Sequence, residues 1–420
     1  HDALPICVKL NGALSATTAN TYGVTNLAGT VITADIVADT AAQVTTTLAT
    51  STGTSDALNV NFSSTTTLGS APTATTKTTV TATGLTSTGI ETVNISSGGT
   101  IVNGYNFYDT LIGNKLKNYT DNSNKTASIV VSGSKEITLG DIVVSRESTT
   151  GLVVDGVTLT FNGDFINQNA TYKAATVATT AVATADVQAA LTTIDATTTT
   201  GGANIWAGVS EQFVNNSTNS GYYQVYTGLT INGGSGSDMI RNSAKNGVTT
   251  GGAGNDWLIV DGLYGSASGG DGDDTLVAYV GTAATLTGGA GKDTFNATAD
   301  VANNSTTPVI TTITDFSAGD KLILASSGVV ALVSAQAAIA NATSLEGALA
   351  AALTAASGAT AGALVTATQA GYFTYGGNTY VVLDDGTDGL ATTSAAEVIV
   401  KLSGIIDLST ATVASNTITL

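Results

Sequence analysis

Four nonapeptides of the pattern G-G-x-G-x-D-x-U-x, in which U is a large apolar residue, constrain the fold of this chain more than any other feature. They are GGSGSDMIR at 233–241, GGAGNDWLI at 251–259, GGDGDDTLV at 269–277 and GGAGKDTFN at 288–296. Their first residues are separated by 18, 18 and 19 positions. Because one turn of a parallel β-roll takes two nonapeptides, this spacing places all four matches on the same side of a roll.

The segments between the matches, NSAKNGVTT, VDGLYGSAS and AYVGTAATLT, lack the pattern and are expected to form the opposite side of the roll. The U residues are predicted to point inward and build a narrow apolar core. They are Ile240, Leu258, Leu276 and Phe295.

The matched turns carry the residue types of a calcium site. Glycine permits positive φ and a close approach of the backbone to a metal, and Ca²⁺ takes roughly six to eight oxygen ligands. Carboxylates and carbonyl oxygens of two adjacent turns can supply them. The predicted carboxylate ligands are Asp238, Asp256, Asp274 and Asp293. The other predicted ligand residues are Gly233, Ser235, Ser237, Gly251, Gly252, Ala253, Gly254, Asn255, Gly269, Gly270, Asp271, Gly272, Asp273, Gly289 and Gly291.

Four stacked turns enclose three intervening spaces, so about three Ca²⁺ ions are expected on this side. The opposite side is expected to bind none or one, with Asp261 as its candidate ligand. Further ions near Asp315 and Asp320, or near Asp384 and Asp388, are an open alternative to solvated turns, which Asp and Gly also form.

The roll is expected to fold only around its metal. Residues 233–293 contain 16 Gly and 7 Asp among 61 residues. Ordering each residue costs on the order of 1–2 kcal/mol of backbone entropy, and stacked carboxylates repel one another. A core one side chain wide does not offset these terms, so ion binding becomes folding free energy.

The rest of the chain is predicted to be all-β, since small and β-branched residues dominate and only 3 Pro and 5% aromatic residues occur. We expect β-sandwich or β-helical layers, followed by the roll and a C-terminal β unit with one helical insert. The predicted segments are an anomalous 1–10 (an artefact of expression or assignment would explain it), a β-rich assembly domain 11–150, a β-rich 151–231 with one helix, the calcium-binding roll 232–296 and the C-terminal 297–420. Predicted strands include Ala57–Phe62, Thr78–Thr83, Glu91–Ile95, Ser128–Ser132, Asp141–Ser145, Lys321–Leu324, Thr379–Leu383 and Glu397–Leu402.

Two helices are predicted. The first covers Ala185–Ile194 with Thr184 as its N-cap. The second begins at a capping box formed by Thr343 and Glu346 and continues through an apolar stripe of leucines.

Charge and motifs exclude several classes of function. The net charge of −18 and the pI near 4.1 disfavour nucleic acid as a partner, because phosphate binding requires clustered Lys and Arg. No segment is apolar enough to predict a membrane span. The chain has one His and neither an HExxH nor a GxSxG motif, which disfavours a zinc protease or a serine hydrolase. A glycosidase with two carboxylates stays open.

The nonapeptides resemble those of the repeats-in-toxin family of Gram-negative secreted proteins. TITDFSAGDKLIL at 312–324, GYFTYGGNTYVVLDD at 371–385 and EVIVKLSGIIDL at 397–408 are similar to the region that follows the β-roll in that family. The resemblance implies type I secretion through a C-terminal signal and folding in external calcium. The Thr/Ala/Val-rich body and GIETVNISS at 89–97 resemble surface-layer proteins of the Caulobacter and Campylobacter type.

The combined expectation is a secreted, structural subunit at the cell surface that assembles with copies of itself in a Ca²⁺-dependent way, as a surface layer or a filament. A region that would bind lipopolysaccharide is not recognisable in this sequence. The alternatives are a calcium-dependent adhesin or biofilm-matrix protein and, with less support, a secreted hydrolase of the same family.

Replacing one of the four predicted aspartate ligands is expected to raise the calcium concentration that folding requires. Asp256→Ala removes a ligand from the two sites that share its turn. A calcium titration followed by circular dichroism checks this, and an unchanged onset of β-structure contradicts the assignment of Asp256 as a ligand.

Overall fold

The computed structural model describes residues 6–10, 20–24, 31–36, 40–48, 56–63, 65–67, 78–102, 112–121, 126–144, 152–154, 157–159, 175–176, 191–207, 220–221, 228–279, 282–297, 310–324, 329, 331–357, 369–383, 398–414 and 416–420. The described residues form an all-β protein with one helix, which confirms the predicted fold class. The chain divides into two compact units, His1–Lys245 and Asn246–Leu420.

The first unit is a stack of parallel coils in which successive long strands alternate between two sheets. One sheet has the strand order β1-β3-β5-β8-β11-β16-β19 and the other β2-β4-β7-β10-β12-β17-β20, beside three two-stranded pairs. The strands are β1 (Ile6–Leu10), β2 (Asn20–Val24), β3 (Val31–Ile36), β4 (Thr40–Leu48), β5 (Ala57–Phe62), β6 (Thr65–Thr67), β7 (Thr78–Thr88), β8 (Thr92–Ser97), β9 (Thr100–Val102), β10 (Ile112–Asp121), β11 (Ser128–Gly133), β12 (Glu136–Val144), β13 (Leu152–Val154), β14 (Val157–Leu159), β15 (Ala175–Thr176), β16 (Thr193–Thr199), β17 (Ala203–Ala207), β18 (Ser220–Gly221), β19 (Thr230–Asn232) and β20 (Met239–Asn242).

Strict alternation of side chains produces this stack. In β5 and β8 every second residue is buried, and the parallel register aligns Leu58 with Val93 and Val93 with Ile129. Each of the three is at most 1% exposed. Buried side chains from successive strands therefore stack in columns that form the core. Because the strands pair in parallel, the layers are β-helical and not a sandwich.

The second unit contains two sheets and the helix. One sheet has the order β21-β23-β25-β27-β32-β31-β30-β29 and the other β22-β24-β26-β28-β34-β33. The elements are β21 (Val248–Ala253), β22 (Trp257–Val260), β23 (Ser266–Asp271), β24 (Thr275–Ala278), β25 (Thr285–Ala290), β26 (Thr294–Asn296), β27 (Ile310–Ile313), β28 (Lys321–Ile323), β29 (Ala331–Ser334), α1 (Leu345–Ser357), β30 (Gln369–Tyr375), β31 (Asn378–Leu383), β32 (Val398–Leu402), β33 (Thr412–Ala414) and β34 (Thr417–Thr419).

The nonapeptide spacing gives the second unit its regular part. Leu258, Leu276, Phe295 and Leu322 lie in register on successive parallel strands. All four side chains are 0% exposed, which confirms that the U positions point into the core.

The C-terminal part of the second unit packs α1 against the antiparallel strands β30 and β31. Phe373 and Tyr380 stack with ring centroids 5.3 Å apart within the cluster that contacts the helix. The helix begins one residue later than predicted, because the Ser344 hydroxyl accepts the Gly347 N–H at 3.1 Å. Thr343 as the N-cap was therefore wrong.

The predicted helix Ala185–Ile194 is wrong at its C-terminal end. Residues 185–190 lie outside the described residues, and β16 begins at Thr193 with Ile194 buried in the core. Several predicted strands are confirmed within one or two residues of their ends, among them Ala57–Phe62 and Ser128–Ser132.

The turns on the side opposite the nonapeptides each contain a residue with positive φ that is not glycine. Asn246, Tyr264 and Ala283 have φ values of 54°, 57° and 51°. They occupy equivalent positions, because the Asn246 N–H donates to the Leu263 carbonyl and the Tyr264 N–H to the Thr282 carbonyl. For Ala and Tyr this conformation costs roughly 1–2 kcal/mol per residue.

Glycine at position 283 is therefore expected to stabilise the protein. Ala283→Gly relieves the left-handed strain and should raise the free energy of unfolding by about 1 kcal/mol. Ala290→Gly, at an exposed residue without positive φ, is the control and should lower it. Thermal melts at fixed calcium check both, and a lower melting temperature for Ala283→Gly contradicts the prediction.

Candidate metal centre

A ladder of buried carboxylates runs along the nonapeptide side of the second unit. The Asp256 N–H donates to Asp274 Oδ1 at 2.8 Å, and the Asp274 N–H donates to Asp293 Oδ1 at 2.9 Å. The three residues are 3%, 1% and 2% exposed. The carboxylates of Asp274 and Asp293 thus each accept a hydrogen bond from the aspartate one coil before, which holds successive turns in register.

The ladder continues one turn past the last nonapeptide, into the segment with Asp315 and Asp320 for which the sequence left a further ion site and a solvated turn open. The Asp293 N–H donates to Asp320 Oδ1 at 2.9 Å, and Asp320 is 2% exposed. The Asp315 carboxylate accepts the N–H groups of Gly288 and Gly289, each at 2.9 Å. Asp320-Lys-Leu-Ile repeats the D-x-U-x half of the motif, and this was the available signal.

The glycines of the motif are required by two close approaches. A Cβ on Gly269 would overlap Oδ2 of Asp274 in its own turn, and the same holds for Gly288 and Asp293. A Cβ on Gly270, where φ is +120°, would overlap the carbonyl oxygen of Gly252 in the preceding turn. The turns therefore place carboxylate and carbonyl oxygens against backbone that has no side chain.

Asp238 shows the same arrangement within the first unit. Its Oδ1 accepts the Ala203 N–H and its Oδ2 the Gly234 N–H, both at 2.7 Å. Burial raises the pKa of the Asp238 carboxyl, and these two hydrogen bonds oppose the shift.

Burial and repulsion by neighbouring carboxylates raise the pKa values of the Asp274 and Asp293 carboxyls. For Asp274, burial is the main cause, and the charges of Asp273 and Asp271 add to it. For Asp293, burial is the main cause, and the carboxylates of Asp320, Asp274 and Asp315 add to it, so that the pKa rises to about 6. The hydrogen bond from the Asp274 N–H lowers the pKa and opposes this rise. A positive charge at this side would relieve both causes.

The donor set fits a hard cation. Asp274 Oδ2 is buried and accepts no hydrogen bond from the described residues. This oxygen lies against the same face of Gly269 as the Gly288 carbonyl oxygen, and carboxylate and carbonyl oxygens are the ligands that Ca²⁺ prefers. Among the described residues no three acidic, His or Cys side chains converge, so a cation here would take many of its ligands from the backbone.

The fifth motif positions form an exposed row beside the ladder. The Asn255 side chain accepts the Asp273 N–H at 3.0 Å, and the Asp273 side chain accepts the Lys292 N–H at 2.8 Å. These hydrogen bonds connect adjacent turns on their exposed side. Asp261 lies half-buried on the opposite side, whereas Asp384 and Asp388 lie outside the described residues.

No family model matches the chain, and no curated protein matches it. The described part of the chain contains no helix that is long and apolar enough to cross a membrane.

In chelator, the free energy of unfolding is expected to fall as the pH rises through about 4 to 6, because the folded Asp293 binds its proton more tightly than the unfolded chain does. The roll, which is expected to need metal at neutral pH, should therefore come nearest to folding without it at about pH 4. Below this pH window Asp293 is protonated in the folded protein and does not repel its neighbouring carboxylates. Above the window it is ionised, and its repulsion by those carboxylates lowers the free energy of unfolding. Thermal melts in chelator between these pH values check the slope.

Asp293→Asn is the matched variant for this prediction. The amide oxygen can still accept the Asp274 N–H, but the group no longer titrates, so the slope should flatten. A melting temperature that rises with pH in chelator, or an unchanged slope in the variant, contradicts the assignment.

Proposed function

We propose that the protein is an extracellular structural subunit that assembles with copies of itself, as a surface layer or a filament, and whose folding and assembly depend on Ca²⁺. The observation that carries the proposal is the stack of buried carboxylates at Asp256, Asp274, Asp293 and Asp320. Such a stack is costly at neutral pH unless a cation compensates it.

The residues that would hold Ca²⁺ are Asp256, Asp274 and Asp293, with carbonyl oxygens of the glycines in the same turns. When bound, the ion supplies positive charge and joins consecutive turns. The chain's own contribution is a register in which each turn presents its carboxylate to the next. Because this arrangement does not exist in the unfolded chain, the binding free energy becomes folding free energy.

Calcium-dependent folding suits a protein that is exported unfolded. Millimolar calcium outside the cell would trigger folding after secretion, as the family resemblance implies, and weak sites suffice at that concentration. Secretion by the type I route, a location at the cell surface and an association with lipopolysaccharide belong to this proposal.

The body of the chain supports a structural role. The columns through Leu58 and Leu258 fill the interiors of the two units with packed side chains, and the chain has one His and one Cys. Its charge of −18 opposes close contact between copies unless cations bridge them. A packed interior gives an assembling subunit a rigid body, and the high negative charge makes contact between copies depend on cations.

Electron microscopy with and without chelator tests the proposal. We expect ordered sheets or fibres in millimolar Ca²⁺ that dissolve when chelator is added. Asp274→Asn, which weakens the ladder, should shift assembly to higher calcium. Asp407→Asn, at an exposed carboxylate held by Ser409, is the control and should assemble like the wild type. Monomers under all conditions would favour the adhesin alternative and end this proposal.

A further inference from the structure

Strand β29, Ala331–Ser334, is the last strand of its sheet in the second unit. It pairs in parallel with β30, where Leu332 aligns with Ala370 and Ser334 with Tyr372. No strand that the structure describes pairs with its other side. Within the described part of the chain, this edge of the sheet therefore has no partner strand.

The backbone orientation of β29 follows from the residue after it. The Ala335 N–H donates to the Tyr372 carbonyl at 2.8 Å. In a parallel pair alternate residues bond to the same neighbour, so Val333 also faces β30. Leu332 and Ser334 consequently present their N–H and C=O groups to this edge.

The edge lacks the features that usually prevent pairing with another chain. Natural edge strands are protected by Lys, Pro, bulges or inward charges. The strand reads ALVS, and the whole stretch 322–345 contains no charged residue in a chain of net charge −18. Leu332 and Val333 are half-buried and Ser334 is exposed.

Charge favours a second copy of this chain as the occupant. Two copies that each carry −18 repel over most of their surfaces, and an uncharged stretch is where they can approach at the lowest cost. An identical strand also matches this edge in length and in its lack of charge.

We propose that β29 pairs with β29 of a second copy, antiparallel and about a two-fold axis at Val333. Leu332 of each copy then forms a hydrogen-bonded pair with Ser334 of the other, and the two Val333 residues face each other. This names a contact surface for the proposed assembly and rests on that function. Two-fold contacts are the commonest form of self-association.

Cross-linking tests the axis directly. In a non-hydrogen-bonded antiparallel pair the Cα atoms lie about 4.5 Å apart, within the range of a disulfide. Val333→Cys in a Cys7→Ser background should form a covalent dimer under mild oxidation in calcium. Ala338→Cys, at an exposed residue in the following turn, is the matched control and should stay monomeric.

A charge at the edge tests the contact without a new bond. Ser334→Lys should weaken dimerisation by about tenfold or more, because a lysine on an edge strand opposes pairing. Ala338→Lys adds the same charge nearby and should dimerise like the wild type. Sedimentation velocity in calcium measures both, with circular dichroism as the check on folding.

The outcomes separate this inference from the proposed function. Ordered wild-type assemblies without a cross-link at position 333, or equal cross-linking at 333 and 338, overturn the strand pairing alone. A specific cross-link at 333 without any ordered assembly overturns the assembly function alone. A wild type that stays monomeric in calcium overturns both.

Discussion

The hydrogen bond from one backbone N–H to the carboxylate of the next coil is the interaction on which the regular part of the second unit depends. It links Asp256 to Asp274 and Asp274 to Asp293, and so ties a charged side chain to the coil repeat. The strand register, the close approaches at the glycines and the apolar columns all follow the same alignment of one coil with the next. The same interaction concentrates negative charge, so the bond that orders the coils also makes them dependent on a counter-ion.

At Gly133, the first unit stabilises the corresponding corner with neutral groups. A Cβ on Gly133 would overlap the Ser97 carbonyl oxygen, as a Cβ on Gly270 would overlap that of Gly252. In the first unit, however, the Ser97 hydroxyl donates to the Lys135 carbonyl at 3.0 Å and the Asn114 amide donates to that of Gly98 at 2.9 Å. The same backbone geometry is thus stabilised by neutral side-chain donors at Gly133 and accompanied by carboxylates in the nonapeptide turns, including that of Asp238 in the first unit.

The stacking of Asp256, Asp274 and Asp293 could be predicted from the sequence, because residues that recur at a fixed spacing lie at equivalent positions of successive coils. The first unit has no such period. The residues in register with Leu58 follow at intervals of 35, 36 and 65 positions, so its stack could not be read from the sequence. Asp320 could be predicted only as a candidate for a separate ion site and not as part of this ladder, since it lies 27 residues after Asp293 and its turn lacks the paired glycines. The predicted C-terminal end of the helix at Ile194 was wrong because an apolar spacing of three and four residues (Val187, Leu191 and Ile194) also occurs by chance before a short buried strand.

The one irregular interval among the nonapeptides has an evolutionary consequence. Val260 aligns with Ala278 at a separation of 18 residues, but Ala267 aligns with Leu286 at a separation of 19. The additional residue therefore lies in the turn opposite the ladder, where it disturbs neither the carboxylates nor the core. Insertions can accumulate on that side, whereas the ladder side accepts only the gain or loss of complete coils. Homologous chains should accordingly differ in length by whole coils on one side and by single residues on the other.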